Sequence, residues 1–168
     1  MDGLDVGVIV AGGQTLSVGQ GLLETGAVSA YRTAHGLGSD PDHDGYLDSF
    51  SSVPGSQASP EGLFRFAEEY SGKHGESYKL DGLDEGNKTS RARAIVIHAA
   101  SYAEPAFLKQ HGKLGRSNGC FALGDEQFKI ALLNLSGGRL LYAESLGLAV
   151  TDVRIRRTDL TQEVSQQT

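Results

Sequence analysis

"ARAIVIHAASY", residues 92–102, decides how this chain is read. Its centre, Ile95-Val96-Ile97, is a short β-branched run bounded by polar residues, the pattern of a buried strand. His98 stands at the end of that strand. Next comes "EPAFLKQHG" (104–112), with Pro105 early and Gly112 late, the asymmetry of a short helix. "LGDEQFKIALLNLSGG" (123–138) has the same form: Asp125 and Glu126 suit a first turn, Phe128, Ile130, Ala131, Leu132 and Leu135 supply an apolar face, and Gly137 and Gly138 stop it.

Further from the centre the signals are mostly those of strands. "VGVIVAGG" (6–13), "AVSAYRTAHG" (27–36), "GLFRFAEEYSG" (62–72), "SYKLDGL" (77–83) and "RLLYAES" (139–145) each read as one, with a turn after the first near Gln14. Residues 84–91 form a polar connector. The segment 36–62 is rich in Gly, Ser, Pro and Asp, and an irregular stretch of that length in a compact domain is usually functional, here a lid or a groove wall. The tail, Thr158–Thr168, is polar and expected to fray. The expected architecture is mainly β with one or two short helices, in a single domain over residues 1–168.

Composition sets the outer bounds. The chain has 168 residues, 15 basic against 21 acidic, and a formal net charge of −6. Nucleic acid is therefore not an expected partner, since phosphate binding needs a basic surface. Twenty-three glycines, four prolines and no tryptophan fit a turn-rich β fold. No apolar run approaches the length of a membrane span. At the N-terminus, Asp2 and Asp5 stand where a secretory signal carries positive charge, and "VGVIVA" is too short for its apolar core.

The only cysteine, Cys120, lies in "GRSNGC" (115–120). One cysteine cannot form an internal disulfide, which leaves an inert core thiol, an intermolecular link or a nucleophile served by histidines elsewhere. Its place just before the second helix predicts a thiol near a helix N-terminus, with its pKa depressed there and by Arg116. Amides at Gly119 and Cys120 are candidate oxyanion donors. For a base, His98 at the strand end is one candidate. His111 sits close to a helix C-terminus, and His74 in a turn between strands.

These residues resemble a known family. "RARAIVIHAASY" followed by "KQHGKLGRSNGCFAL" is similar to the catalytic core of the murein L,D-transpeptidases, the YkuD-like cysteine enzymes, and the resemblance extends through "AHGLGSD", "GKHG" and "GGRLLYA" over most of residues 34–143. It implies a YkuD-like β-sandwich or barrel. It makes Cys120 the nucleophile, His98 the base, the Ala99 carbonyl the group that orients the base, Ser117 a residue lining the site, and Gly119 with Cys120 the oxyanion hole. Arg116 matches a carboxylate-steering arginine. Tyr102, Lys73, His74, His111 and Asn118 match recurring positions on the substrate side. The implied chemistry is acyl transfer on peptidoglycan stem peptides, either 3→3 crosslinking or L,D-carboxypeptidase trimming. No cofactor or metal is implied. The implied location is the periplasm or cell envelope, with an export signal outside this chain. Three departures stand out: Ala99 replaces a glycine, Phe121 a proline, and Asn118 an aromatic residue or histidine.

Other readings compete. "DPDHDGYLDSFS" (40–51) puts Asp40, Asp42, Asp44, Gly45 and Asp48 at positions of a calcium loop, but Ser51 stands where a bidentate glutamate belongs. Zinc on Cys120, His98, His111 and His74 lacks a short paired-ligand spacing. A catalytically retired peptidoglycan-binding module is the non-enzymatic alternative, and a papain-like endopeptidase is disfavoured because the histidine precedes the cysteine.

Overall fold

The computed structural model describes residues 7–12, 27–135 and 140–144. The expected turn near Gln14, the glycine stop at Gly137 and Gly138 and the tail Thr158–Thr168 lie outside these residues. The architecture is mainly β. Seven strands form one mixed sheet: β1 (Gly7–Gly12), β2 (Ala27–Arg32), β3 (Gly62–Gly72), β4 (Gly75–Gly82), β5 (Val96–Ala99), β6 (Phe121–Leu123) and β7 (Leu140–Glu144), ordered β2-β1-β7-β3-β4-β5-β6. Two helices accompany it, α1 (Pro105–His111) and α2 (Asp125–Leu135).

The sheet curls until its two sides meet. Ala34, just past the edge strand β2, makes an antiparallel bridge to Ala122 of the opposite edge strand β6. All pairings between named strands are antiparallel except β5–β6. A parallel pair needs a crossover, and α1 supplies it. Pro105 opens that helix and Gly112, at φ 73°, closes it.

Alternation along the strands builds the core. Phe64 and Phe66 of β3 point inward while Arg65 between them is exposed, until a register shift between Phe66 and Glu69 breaks the pattern. Leu80, Ile95, Ile97, Phe121, Leu123 and Leu141 join them, and α2 lays Phe128 and Ala131 on the cluster. Phe121 is fully buried, edge-on to Phe64 with ring centroids 5.8 Å apart. Phe121 opens β6, and where the resembled sequences carry proline this phenylalanine fills the core.

The three-residue strand β6 corrects the expectation that Cys120 immediately precedes a helix. Residues 121–123 pair in parallel with 97–99, and α2 begins only at Asp125. On the face of β5 and β6 turned away from Ile97 and Phe121, His98 stands opposite Ala122, and a second small cluster of Ala34, Ala103 and Ala122 packs with Tyr102 and Leu114.

Candidate active site

The candidate base lies on β5, and the candidate nucleophile stands just before the adjacent β6. His98 is in register with Ala122, and Cys120 lies two residues before Ala122. That offset across neighbouring strands sets the two Cα atoms roughly 8 Å apart, and Sγ and Nε2 make no hydrogen bond to each other. The His98 ring is buried, and its Nδ1 is 2.9 Å from the Ala99 carbonyl oxygen. A carbonyl can only accept, so Nδ1 carries the proton and Nε2 keeps its lone pair. Nε2 is buried and makes no hydrogen bond. Burial lowers the pKa of His98, and His74 and Lys73 lower it further, against the Ala99 contact that raises it.

Cys120 is half-buried, and its Sγ lies 3.7 Å from the Ala94 carbonyl oxygen. Burial pushes its thiol up, outweighing the Val96 amide and the charges of Lys73 and Arg93. This overturns the expected depressed thiol: β6 stands between Cys120 and the start of α2 at Asp125, and the surroundings withdraw the sulfur from water. Arg116 is not the nearby cation either. Its guanidinium donates to the Asp40 and Pro41 carbonyls, tying the 40–46 loop to the segment that carries the cysteine. Lys113 donates to the His43 carbonyl and reinforces the same tie.

The loop before the sulfur is held by neutral hydrogen bonds. Ser117 Oγ accepts from the Gly119 amide at 3.1 Å and donates to the Cys120 carbonyl at 2.6 Å. The Gly119 amide is therefore already engaged, contrary to its expected role as a free oxyanion donor. Ser59 donates to the Gly119 carbonyl at 3.0 Å and accepts from the Gly36 amide at 2.9 Å. Arg93 donates to the Ser51 and Ala58 carbonyls, at 2.9 and 2.7 Å. Segment 36–62 is thus pinned to the cysteine loop by hydrogen bonds. Ser59 and Arg93 escaped the sequence reading because their partners are distant backbone carbonyls that no motif announces.

Gly119 sits at φ 114°, and a Cβ there would come within 2.8 Å of the Ala58 carbonyl oxygen. Gly119→Ala is expected to displace the cysteine loop and to lower stability by about 1–3 kcal/mol. Thermal unfolding checks the second effect and turnover the first.

The other expected residues divide into two groups. Tyr102, half-buried, packs where a side chain on Gly115 would sit, and burial with the Cys120 charge pushes its hydroxyl up to about 12. His74 stacks on His98, with ring centroids 4.4 Å apart at 19°. Lys73 beside it is exposed, as is Asn118. His111 is exposed on α1 and packed on Phe107 at 4.2 Å. Ala99 is not among the residues at positive φ, which in the described chain are His43, Gln57 and Ala94 besides glycines. The family's glycine is therefore not required at that position.

Among the described residues, only Asp40, Asp42 and Asp44 bring three possible metal ligands within 4.8 Å of one another. The sulfur and the three imidazoles do not converge in this way. Both Asp40 oxygens already accept amides, from Asp44 and Gly45.

A comparison with protein families matches the L,D-transpeptidase catalytic domain to residues 22–143, most of the chain and the whole of this site. The chain belongs to that family. Members of the L,D-transpeptidase family act on peptidoglycan in the cell envelope, and Cys120, His98 and Ser117 all fall inside the matched span. No curated protein and no solved structure matches the chain. Among the described residues no helix is long and apolar enough to cross a membrane.

Proposed function

We propose that this protein is a cysteine acyltransferase of peptidoglycan stem peptides, with Cys120 as nucleophile and His98 as general base. The observation that carries the reading is the state of His98: Nδ1–H is held by the Ala99 carbonyl, leaving a buried Nε2 without a partner on the strand beside the cysteine. In the resting state the raised thiol and the lowered imidazole favour the neutral pair over thiolate and imidazolium. On substrate binding the thiol leaves the Ala94 carbonyl by rotation about χ1. It gives its proton to Nε2 as sulfur attacks the carbonyl of the third stem residue. The Cys120 amide faces the developing oxyanion, and Ser117 holds the loop that presents it. His98 returns the proton to the departing D-amino acid. A diaminopimelate amine on a second stem then takes the acyl group, giving a 3→3 crosslink, or water takes it, giving a trimmed tripeptide. Both occur outside the cytoplasmic membrane.

Purified protein incubated with disaccharide tetrapeptides is expected to yield a crosslinked dimer or a tripeptide by mass spectrometry. Recovery of untouched substrate under all conditions would overturn the reading. The pH dependence follows from the base. His98 must be neutral to accept a proton, and its pKa lies below the ordinary 6.5. The acid limb of kcat/KM is therefore expected below pH 6.5, with activity lost as pH falls through it. An acid limb above that value would contradict a buried neutral base.

A second reading, a retired peptidoglycan-binding module, draws support from the raised thiol and from the absence of a hydrogen bond between Sγ and Nε2. It predicts binding of stem peptides with no covalent adduct on Cys120. Ala99 and Phe121 lend it nothing, since the first needs no glycine geometry and the second is a core residue.

A further inference from the structure

The β3–β4 hairpin reaches over the candidate base. Its ladder closes at Gly72 opposite Gly75, so Lys73 and His74 form the two-residue tip, and Gly75 takes φ 75° to make the turn. β4 continues into the pairing with β5 that sets Ser77 opposite His98. The hairpin therefore carries His74, three residues before Ser77, onto the face where His98 stands. The two imidazoles lie nearly parallel, 4.4 Å between centroids and 19° between planes. The outer ring is exposed, whereas the inner one is 1% exposed.

We infer that His74 is a positioning residue for His98: its ring clamps the base imidazole in the orientation that gives Nδ1–H to the Ala99 carbonyl and leaves Nε2 unclaimed. The inference rests on the reading of His98 as the base. A single hydrogen bond to a backbone carbonyl is all that holds the ring against rotation about its Cα–Cβ and Cβ–Cγ bonds. A flat ring stacked on one face removes that freedom and covers that face against water. The stack also opposes charging of the base, because an imidazolium would face a second imidazole and Lys73 with no carboxylate among the described residues to offset them. The remaining titratable and charged groups of the site come from three further elements and lie about Cys120. Cys120 precedes β6, Arg93 precedes β5 and faces Cys120, and Tyr102 comes from the 3₁₀ turn Ser101–Ala103 and also faces Cys120.

The test compares wild type, His74→Ala and His74→Phe as full chains. Imidazole nitrogen NMR reads the His98 tautomer and its titration, and kcat and KM are measured on a tetrapeptide stem. In His74→Ala the single tautomer is expected to give way to a mixture and the His98 midpoint to rise. At near-neutral pH, kcat is expected to fall by about tenfold or more through lost alignment of the base, with KM within about twofold. His74→Phe keeps a flat ring over the base and is expected to retain the tautomer and most of kcat. An unchanged tautomer and titration in His74→Ala would overturn the inference. So would a His74→Phe variant as impaired as His74→Ala with KM raised in both, the mark of a residue that grips substrate. If wild type shows no turnover, the proposed function fails while the NMR comparison still decides the role of His74.

Discussion

Cys120→Ala abolishes release of the terminal D-amino acid from a tetrapeptide stem, to background and so by at least about 10⁴-fold. The expectation rests on the absence of a substitute. Cys120 is the only cysteine of the chain, so no second thiol can form the acyl intermediate. The substitution removes one sulfur from a half-buried site and leaves the Ser117 and Ser59 hydrogen bonds to the loop backbone in place. The variant should therefore fold like wild type and still bind stem peptides. Circular dichroism and a binding titration separate loss of chemistry from loss of structure. Turnover retained in this variant would remove the covalent mechanism altogether.

His98→Ala is expected to lower turnover by about 10²–10⁴-fold, the usual contribution of a positioned general base. The thiol it leaves behind is held up by burial, so at neutral pH only a small fraction is thiolate. The direction of that shift yields a second readout. In His98→Ala the residual rate should climb with pH through and beyond the ordinary thiol value of 9.0, because solution base must now remove the proton. In wild type the rate should already be level there. A variant whose pH profile matches wild type would show that the imidazole takes no proton from sulfur.

The strand that ends in the candidate base and the helix after it are legible in the sequence, and the features that are not share a cause. The β-branched run Ile95–Ile97 and the Pro105-to-Gly112 pattern are local signals, and both elements form where they point. Three-residue β6 was missed because Phe121-Ala122-Leu123 resembles the lead-in to the helix that follows. Its strand character comes from pairing with β5 across the crossover, which is not a local property. The same error reversed the expected direction of the thiol shift. A helix start beside the sulfur would favour the thiolate, whereas a strand start packed on the Ala94–Val96 backbone buries it. Closeness in sequence makes Arg116 the expected cation, yet its guanidinium turns to the Asp40 loop and Arg93 faces the sulfur instead. The Ala99 carbonyl contact was expected only through family resemblance, since any residue can supply a carbonyl and composition is silent about which one does.

In the proposed mechanism a stem peptide becomes bonded to one sulfur. Intact-protein mass spectrometry of the enzyme, acid-quenched during turnover of a disaccharide tetrapeptide, tests it most directly. The predicted result is an adduct equal to the substrate minus its terminal D-amino acid, mapped to Cys120, abolished by hydroxylamine and absent from Cys120→Ala. Product formation without any such adduct on the wild-type protein, or the same adduct on Cys120→Ala, would contradict it.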